Sequence, residues 1–417
     1  MRTTQLEAGL FRSEGPNGLV VVTERLPGVR SAAAGIWVRS ASGHETPGVL
    51  GVSHLLEHMV FKGTARRSAL EIALSLESRG GSLDAYTSRD HTSYQAHVLD
   101  QDLPLALDVL TDLVRRPLLR DGDLALERNV VLEEIHGVAD TPDDLVHELF
   151  AETLYPEHPY GWPILGTADT VGALEADHLQ ATHQRGYFPG NCVIAVAGQV
   201  QHDEVLAHLD ALGWFAGEPL PAMLPVTDTV AALGVRRDEP RDLQQVHLVL
   251  GTDTFRSADP RRWPMAVVAT ALGAGMSSRL FQRVREELGL CYAIYAWHAG
   301  YRSGGTFGVY VGTQPSTADR AVEAIEAELA RVAREGLPAA DLADAKGQLK
   351  GQLMLALEST TARMSRLASH VLHGEPYRPL DEMLRLVDGV TTEETAALGA
   401  AFLSPERMTA VRLGPTR

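Results

Sequence analysis

The sequence predicts an α+β protein of two similar halves, each an antiparallel sheet packed with helices, joined by a linker. Three observations predict it. Segments with the two-residue alternation of strands are interspersed with segments of helical periodicity along all 417 residues, a length suited to two or more domains. Residues 217–242 carry four prolines, few large apolar side chains and several charges, the composition of a connector. They separate a first domain over 1–216 from a second over 243–417. Finally, residues 114–124 align with 332–342 at an offset of 218, the mark of an internal repeat. The repeat is faint, and similar helix composition alone could also produce it.

Residues 17–24 and 31–40, rich in valine and small residues, read as strands. Thr46-Pro47 supplies an N-cap and a proline at a first helical position, and Lys62-Gly63 a basic last turn and a glycine stop. Ser68-Ala69-Leu70-Glu71 is a capping box for a second helix that ends at Gly80-Gly81. Residues 84–99 read as one long strand with Tyr86, Tyr94 and Val98 on one face. Leu105, Ala106, Val109, Leu110, Leu113 and Val114 mark a helix over 103–116. Another opens at Asp121-Gly122-Asp123 and runs to about 139, and Thr141-Pro142-Asp143 starts the next. A strand over 191–199 closes the first half. Beyond the connector the pattern restarts: strand 244–252, helices 264–272 and 277–288, strands 291–299 and 305–312. The glycine-rich turn 273–278 lacks the Gly-Lys-Ser/Thr ending of a phosphate loop and reads as structural.

Composition narrows the function. The chain is 45% hydrophobic and 22% charged, ordinary for a globular protein. No apolar run is long enough to span a bilayer, and residues 1–18 read as neither secretory signal nor transit peptide. A net charge of −17 argues against nucleic-acid binding and would attract basic peptides. Two cysteines, Cys192 and Cys291, are too few for a disulfide framework; both read as buried thiols, in keeping with a cytoplasmic protein.

Within the first predicted helix lies His54-Leu55-Leu56-Glu57-His58. Residues four apart on a helix share a face, so both imidazoles can reach one metal ion. Glu57, three residues after His54, stands on the same face, where a carboxylate can take a proton from a metal-bound water. Three ionisable groups among Val52, Leu55, Leu56, Met59, Val60 and Phe61 need a partner, and a cation is one. The alternative is a fortuitous match. Catalytic zinc takes three protein ligands and keeps one position open. Glu127 and Glu134, two turns apart in the next long helix, share a face and are candidates; Glu133 lies about 100° around that helix. Alone, Glu127 and Glu134 also read as a solvated acidic face.

His54-x-x-Glu57-His58 followed by Glu127 and Glu134 resembles the signature of the inverzincins, the pitrilysin and insulin-degrading family of zinc peptidases. The likeness covers essentially the whole chain and is nearest the short branch that holds mitochondrial processing peptidase and its bacterial relatives. It implies one zinc ion per chain on His54, His58 and Glu134, with Glu57 as general base on zinc-bound water and Glu127 as a supporting carboxylate. It implies two related halves enclosing a peptide chamber, of which only the first carries metal chemistry: at the 218 offset Glu127 falls on Ala345 and Glu134 on Gln352. Residues 80–94 resemble the family's substrate-pairing strand, implying that Leu83, Asp84, Ala85 and Tyr86 bind peptide. The family often has Asn where Asp84 stands, and an ionised Asp cannot donate to a substrate carbonyl. Residues 278–292 resemble its arginine–tyrosine element, implying that Arg285 anchors substrate and Tyr292 stabilises an oxyanion. The function implied is a zinc-dependent endopeptidase, as a homodimer. The alternative is a non-catalytic, processing-peptidase-like or structural subunit that binds peptides.

Overall fold

The apolar alternation of the first half builds a seven-stranded sheet from β1 (Arg2–Glu7), β2 (Leu10–Glu14), β3 (Val20–Arg25), β4 (Ser31–Val38), β5 (Ser82–Thr87), β6 (Thr92–Leu99) and β7 (Cys192–Gly198), in the order β1-β2-β3-β7-β4-β6-β5. That of the second half builds a five-stranded sheet from β8 (Arg236–Pro240), β9 (Val246–Thr254), β10 (Cys291–Gly300), β11 (Gly305–Thr313) and β12 (Thr409–Gly414), in the order β10-β11-β9-β12-β8. This is a computed structural model, and it describes residues 1–220, 222–223 and 226–415. The expected antiparallel sheets are in fact mixed, because β3 runs parallel to β7 and β8 parallel to β12. The last strand of each half enters between two earlier ones after a long helical excursion, β7 between β3 and β4 and β12 between β8 and β9, and a parallel neighbour needs such a crossover. The span expected to be linker contains β8, so the second half begins before residue 243.

The helices of the first half are α1 (Val52–Val60), α2 (Ala69–Glu77), α3 (Leu103–Arg115), α4 (Asp121–Asp140), α5 (Pro142–Leu154), α6 (Ala168–Ala173), α7 (Ala176–Gly186) and α8 (His202–Ala211). Those of the second are α9 (Arg262–Gly273), α10 (Ala318–Glu335), α11 (Ala339–Ala356), α12 (Thr360–Leu372), α13 (Leu380–Gly389) and α14 (Thr392–Phe402), with a π-helical segment at Phe281–Glu287. The halves are homologous: β3-β7-β4-β6-β5 and β8-β12-β9-β11-β10 are the same topology. Helices α4 and α11 start at 121 and 339, and α5 and α12 at 142 and 360, the 218-residue offset of the sequence repeat.

The two compact units of the chain are not its two halves. One comprises Met1–Ile135, Pro163–Val226 and Ala356–Tyr377; the other His136–Trp162, Thr227–Leu355 and Arg378–Arg417. Equivalent helices have therefore changed places. In the first unit α12 covers the sheet face formed by β3, β4 and β7, with Met364, Leu367, Ala368 and Leu372 against Val20, Val22, Trp37 and Val193. In the second α5 packs on β9 and β12, and the Phe150 ring lies where a Cβ on Gly251 would stand, 2.6 Å away. Each large apolar side chain so buried contributes on the order of 1.5–3 kcal/mol, far more than local helix propensity. The opposite face of the first sheet holds the main core, where Leu55, Leu56, Met59 and Val60 of α1 pack with Ile36, Tyr94, Leu107 and Leu110.

Three local expectations need correction. Residues 84–99 are a hairpin, β5 and β6, rather than one strand. The polar run 88–91 turns the chain: the Ser88 hydroxyl accepts from the backbone N–H of Asp90 and His91 and donates to the His91 carbonyl. Helix α1 begins at Val52 rather than Pro47, which instead starts a 3-10 turn at Pro47–Val49. Between them Gly51 has φ +88°, and a Cβ there would meet the Leu165 carbonyl oxygen at 2.4 Å, so a glycine is required. Cys192 is buried, but Cys291 is only partly so.

Candidate metal centre

Helix α1 is short, and its entry is held by one side chain. Glu45 accepts hydrogen bonds from the backbone N–H of Gly51 and of Ser53, both at 2.8 Å. It satisfies two donors at a helix start that would otherwise be unpaired, and its charge lies at the positive end of the helix dipole. Burial pushes its carboxyl up to about 7 against these hydrogen bonds. With the entry fixed, one turn of α1 brings His54 and His58 side by side, ring centroids 4.7 Å apart.

Glu134 of α4 meets both rings. Its carboxylate oxygens lie 3.6 Å from His54 Nε2 and 3.7 Å from His58 Nε2. Bonds of 2.0–2.1 Å in a tetrahedral zinc site set ligand atoms about 3.3 Å apart. The three ligand atoms all lie within 4.8 Å of one another, and no other group of three or more such side chains does so among the described residues. Two imidazole nitrogens and one carboxylate oxygen fit zinc in number, spacing and chemistry.

Protonation is set by the surroundings. Glu127 Oε2 lies 3.2 Å from His58 Nδ1, which places the His58 proton on Nδ1 and a lone pair on Nε2, toward Glu134. Lys62 Nζ approaches the other Glu127 oxygen at 2.5 Å. Burial, then the neighbouring His58, holds His54 down to about 4, so it is neutral near pH 7 and able to bind a cation. Its Nδ1 is buried with no hydrogen-bond partner among the described residues, leaving its tautomer to be set by what Nε2 binds.

Glu57 is buried on α1, and the Thr87 hydroxyl donates to its Oε2 at 2.6 Å. Burial raises the Glu57 carboxyl above its ordinary value, opposed by that hydrogen bond and by His58. Thr87 ends β5, which pairs with β6 on one side and is the open edge of its sheet on the other. Leu83 and Ala85 are half-buried, and Asp84 and Tyr86 are exposed. The Asp84 carboxylate accepts from the Ala85 N–H at 2.9 Å.

Arg285 and Tyr292 belong to the second unit. The register of β10 slips between Cys291 and Ala293, which leaves Tyr292 as the extra residue of a bulge and 78% exposed. The Arg285 guanidinium stacks 5.1 Å from the Tyr292 ring and 4.5 Å from that of Phe281. Arg285 itself sits in the π-helical segment, an uncommon winding often found at functional sites.

Residues 20–168 match the family described as Insulinase (Peptidase family M16), and residues 173–349 match Peptidase M16 inactive domain. A protein of Streptomyces coelicolor described as an uncharacterized zinc protease is 40% identical over 412 residues, 97% of this chain and 90% of that one. The chain belongs to peptidase family M16. A second member, an uncharacterized zinc protease of Bacillus subtilis, is 37% identical over 94% of this chain and 95% of its own. The fold is shared with solved structures: a protease from Helicobacter pylori has a TM-score of 0.92 at 21% identity, over 97% of this chain and 99% of that one. A peptidase M16 inactive domain from Pseudomonas fluorescens has 0.91 at 22%, over 98% of each.

The M16 match over residues 20–168 contains His54, Glu57, His58, Glu127 and Glu134. The inactive-domain match holds Arg285 and Tyr292, and Ala345 at the position equivalent to Glu127; Gln352, equivalent to Glu134, lies just beyond the matched residues. Sequence reasoning missed Glu45 and the link from Thr87 to Glu57. A carboxylate shortly before a helix is a legible signal for the first. The second joins residues thirty apart through tertiary contact and has no spacing signal. Among the described residues no helix is long and apolar enough to cross a membrane.

Proposed function

We propose that this M16 chain is a zinc-dependent endopeptidase in which Glu57 carries the proton. The observation behind the reading is the convergence of His54, His58 and Glu134 within 4.8 Å, with Glu57 on the same short helix. Those three side chains would hold a zinc ion, and the chemistry it would supply there is Lewis acidity toward water and the scissile carbonyl. Glu57 accepts a proton from the attacking water at its carboxylate and returns it to the leaving nitrogen. A carboxylate raised by burial is a stronger base than a free one, which suits that task. Thr87 fixes its orientation, and Glu127 keeps the His58 lone pair on Nε2.

In the same reading the open edge of β5 takes the peptide as an added strand, recognising backbone more than sequence. Leu83, Asp84, Ala85 and Tyr86 contribute that edge, and Arg285 holds substrate. The exposed Tyr292 hydroxyl donates to the oxygen on which charge develops. The net charge of −17 favours basic peptides. The family resemblance extends the proposal to a homodimer, and the two free cysteines to a cytoplasmic location; sedimentation of the purified chain as a monomer would remove the dimer.

The deciding experiment measures zinc content and cleavage of a mixed basic-peptide substrate, with and without chelator. Glu57→Gln is expected to keep zinc and lose turnover, whereas His54→Ala, His58→Ala and Glu134→Ala lose zinc. Near-normal turnover by Glu57→Gln would mean another group is the base. A wild-type chain that stays metal-free after zinc resupply would replace this reading with that of a non-catalytic peptide-binding subunit.

A further inference from the structure

Lys62 follows the last turn of α1 and lies outside both the ligand set and the proton-transfer pair. Its ammonium nevertheless reaches the carboxylate that governs a ligand. Glu127 is 6% exposed, and its two oxygens are divided: Oε1 to Lys62 Nζ at 2.5 Å, Oε2 to His58 Nδ1 at 3.2 Å. Lys62 is itself placed from α4. Its carbonyl accepts from Arg120 Nη2 at 2.9 Å, and Arg120 Nε pairs with Asp123 at 2.6 Å in the first turn of that helix. Arg120, Lys62, Glu127 and His58 thus form one chain of contacts between the two helices that carry the metal ligands.

Two exposed side chains in an ion pair contribute little, because water already satisfies both. Here the acidic partner is buried, and the basic one is only 34% exposed. A carboxylate with one oxygen held by an ammonium cannot swing freely about its terminal torsion, so the other oxygen stays directed at Nδ1. Without the ammonium, the carboxylate can turn away and His58 loses the acceptor that keeps its proton on Nδ1. The lone pair on Nε2 is then no longer assured.

We infer that Lys62 is a positioning residue of the metal centre, acting through Glu127 on His58 to set the affinity for zinc. The inference rests on the zinc reading above and adds a residue to it. The test is the zinc dissociation constant of the full chain, measured by competition with a chromophoric chelator, so that no turnover is needed. Lys62→Gln keeps a polar side chain without the charge and is expected to weaken zinc binding about tenfold, the lower end for a supporting partner of a ligand. Lys62→Arg, which restores a cation, recovers most of that loss. Glu127→Gln weakens binding at least as much, and Lys62→Gln adds nothing in the Glu127→Gln background, since one residue acts through the other. Circular dichroism checks the fold, and Lys62→Met, which keeps the apolar stem, takes the place of Lys62→Gln should that variant not fold. Wild-type affinity in the Lys62 variants overturns the inference, and so does an equal loss with Glu127 already changed. A wild-type chain that binds no zinc overturns the metal reading itself, and this inference with it.

Discussion

Replacing Thr87 by Val tests whether the hydrogen bond to Glu57 serves the chemistry or only the packing. The two side chains have nearly the same shape, so the change deletes one hydroxyl. What is lost is a 2.6 Å O–H···O contact to a buried carboxylate. A hydrogen bond to a charged group is worth about 1.5–3 kcal/mol. If that bond orients the base while it takes the proton, the loss appears in the barrier, where each 1.36 kcal/mol is about tenfold. The expected fall in kcat is therefore roughly ten- to a hundredfold, with KM and bound zinc unchanged. Thr87→Ser, which restores the donor, should recover most of it. The hydrogen bond also lowers the Glu57 carboxyl against the raising effect of burial. Its removal raises that carboxyl further, and because the base must be ionised, the ascending limb of the kcat profile moves to higher pH. The assay is steady-state cleavage of a fluorogenic peptide across pH, with zinc measured on the same samples. A Thr87→Val enzyme with kcat within about twofold of wild type and an unmoved limb would refute the argument.

Two further outcomes follow from the same geometry. Glu45→Gln keeps one acceptor for Gly51 and Ser53 and turns an amide donor toward the other N–H, which should lower Tm by about 3–8 °C. Because the folded Glu45 carboxyl stands at about 7, above its ordinary 4.5, the folded chain holds that proton more tightly than the unfolded one. Wild-type stability from this group therefore falls as pH rises from about 4.5 to about 7 and is level above. The glutamine variant lacks this titration, so its Tm deficit should be largest near pH 5 and shrink by pH 7.5; a deficit independent of pH would place the carboxyl elsewhere. Tyr292→Phe removes one exposed hydroxyl and is expected to lower kcat about ten- to a hundredfold with KM little changed, if that hydroxyl bonds to developing charge; an unchanged kcat would leave Tyr292 only its stacking with Arg285.

What could be read directly was what rests on spacing along one helix. The four-residue step from His54 to His58 and the two-turn step from Glu127 to Glu134 follow from 3.6 residues per turn, and the structure keeps both pairs on helix faces. The capping box at Ser68 and the helix start at Thr141-Pro142 are equally local, and both stand where the sequence places them. Reading failed where local signals were weak or competing. The turn at 88–91 has no glycine or proline, so β5 and β6 merge into one apparent strand. Thr46-Pro47 is a valid helix start, but Gly51 restarts the helix in a backbone region open to glycine.

The sequence by itself therefore determined two related α+β halves and a candidate metal site on the first of them, because periodicity and ligand spacing are properties of neighbouring residues. Only the tertiary structure decided which sheet each of α5 and α12 covers, since either amphipathic helix satisfies its own periodicity and the choice lies in which apolar face it buries. It likewise decided that Glu45 holds the start of α1, that Thr87 holds Glu57 and that Lys62 holds Glu127. Those contacts form only when separate segments are packed to within hydrogen-bond distance, and no spacing in the chain encodes them.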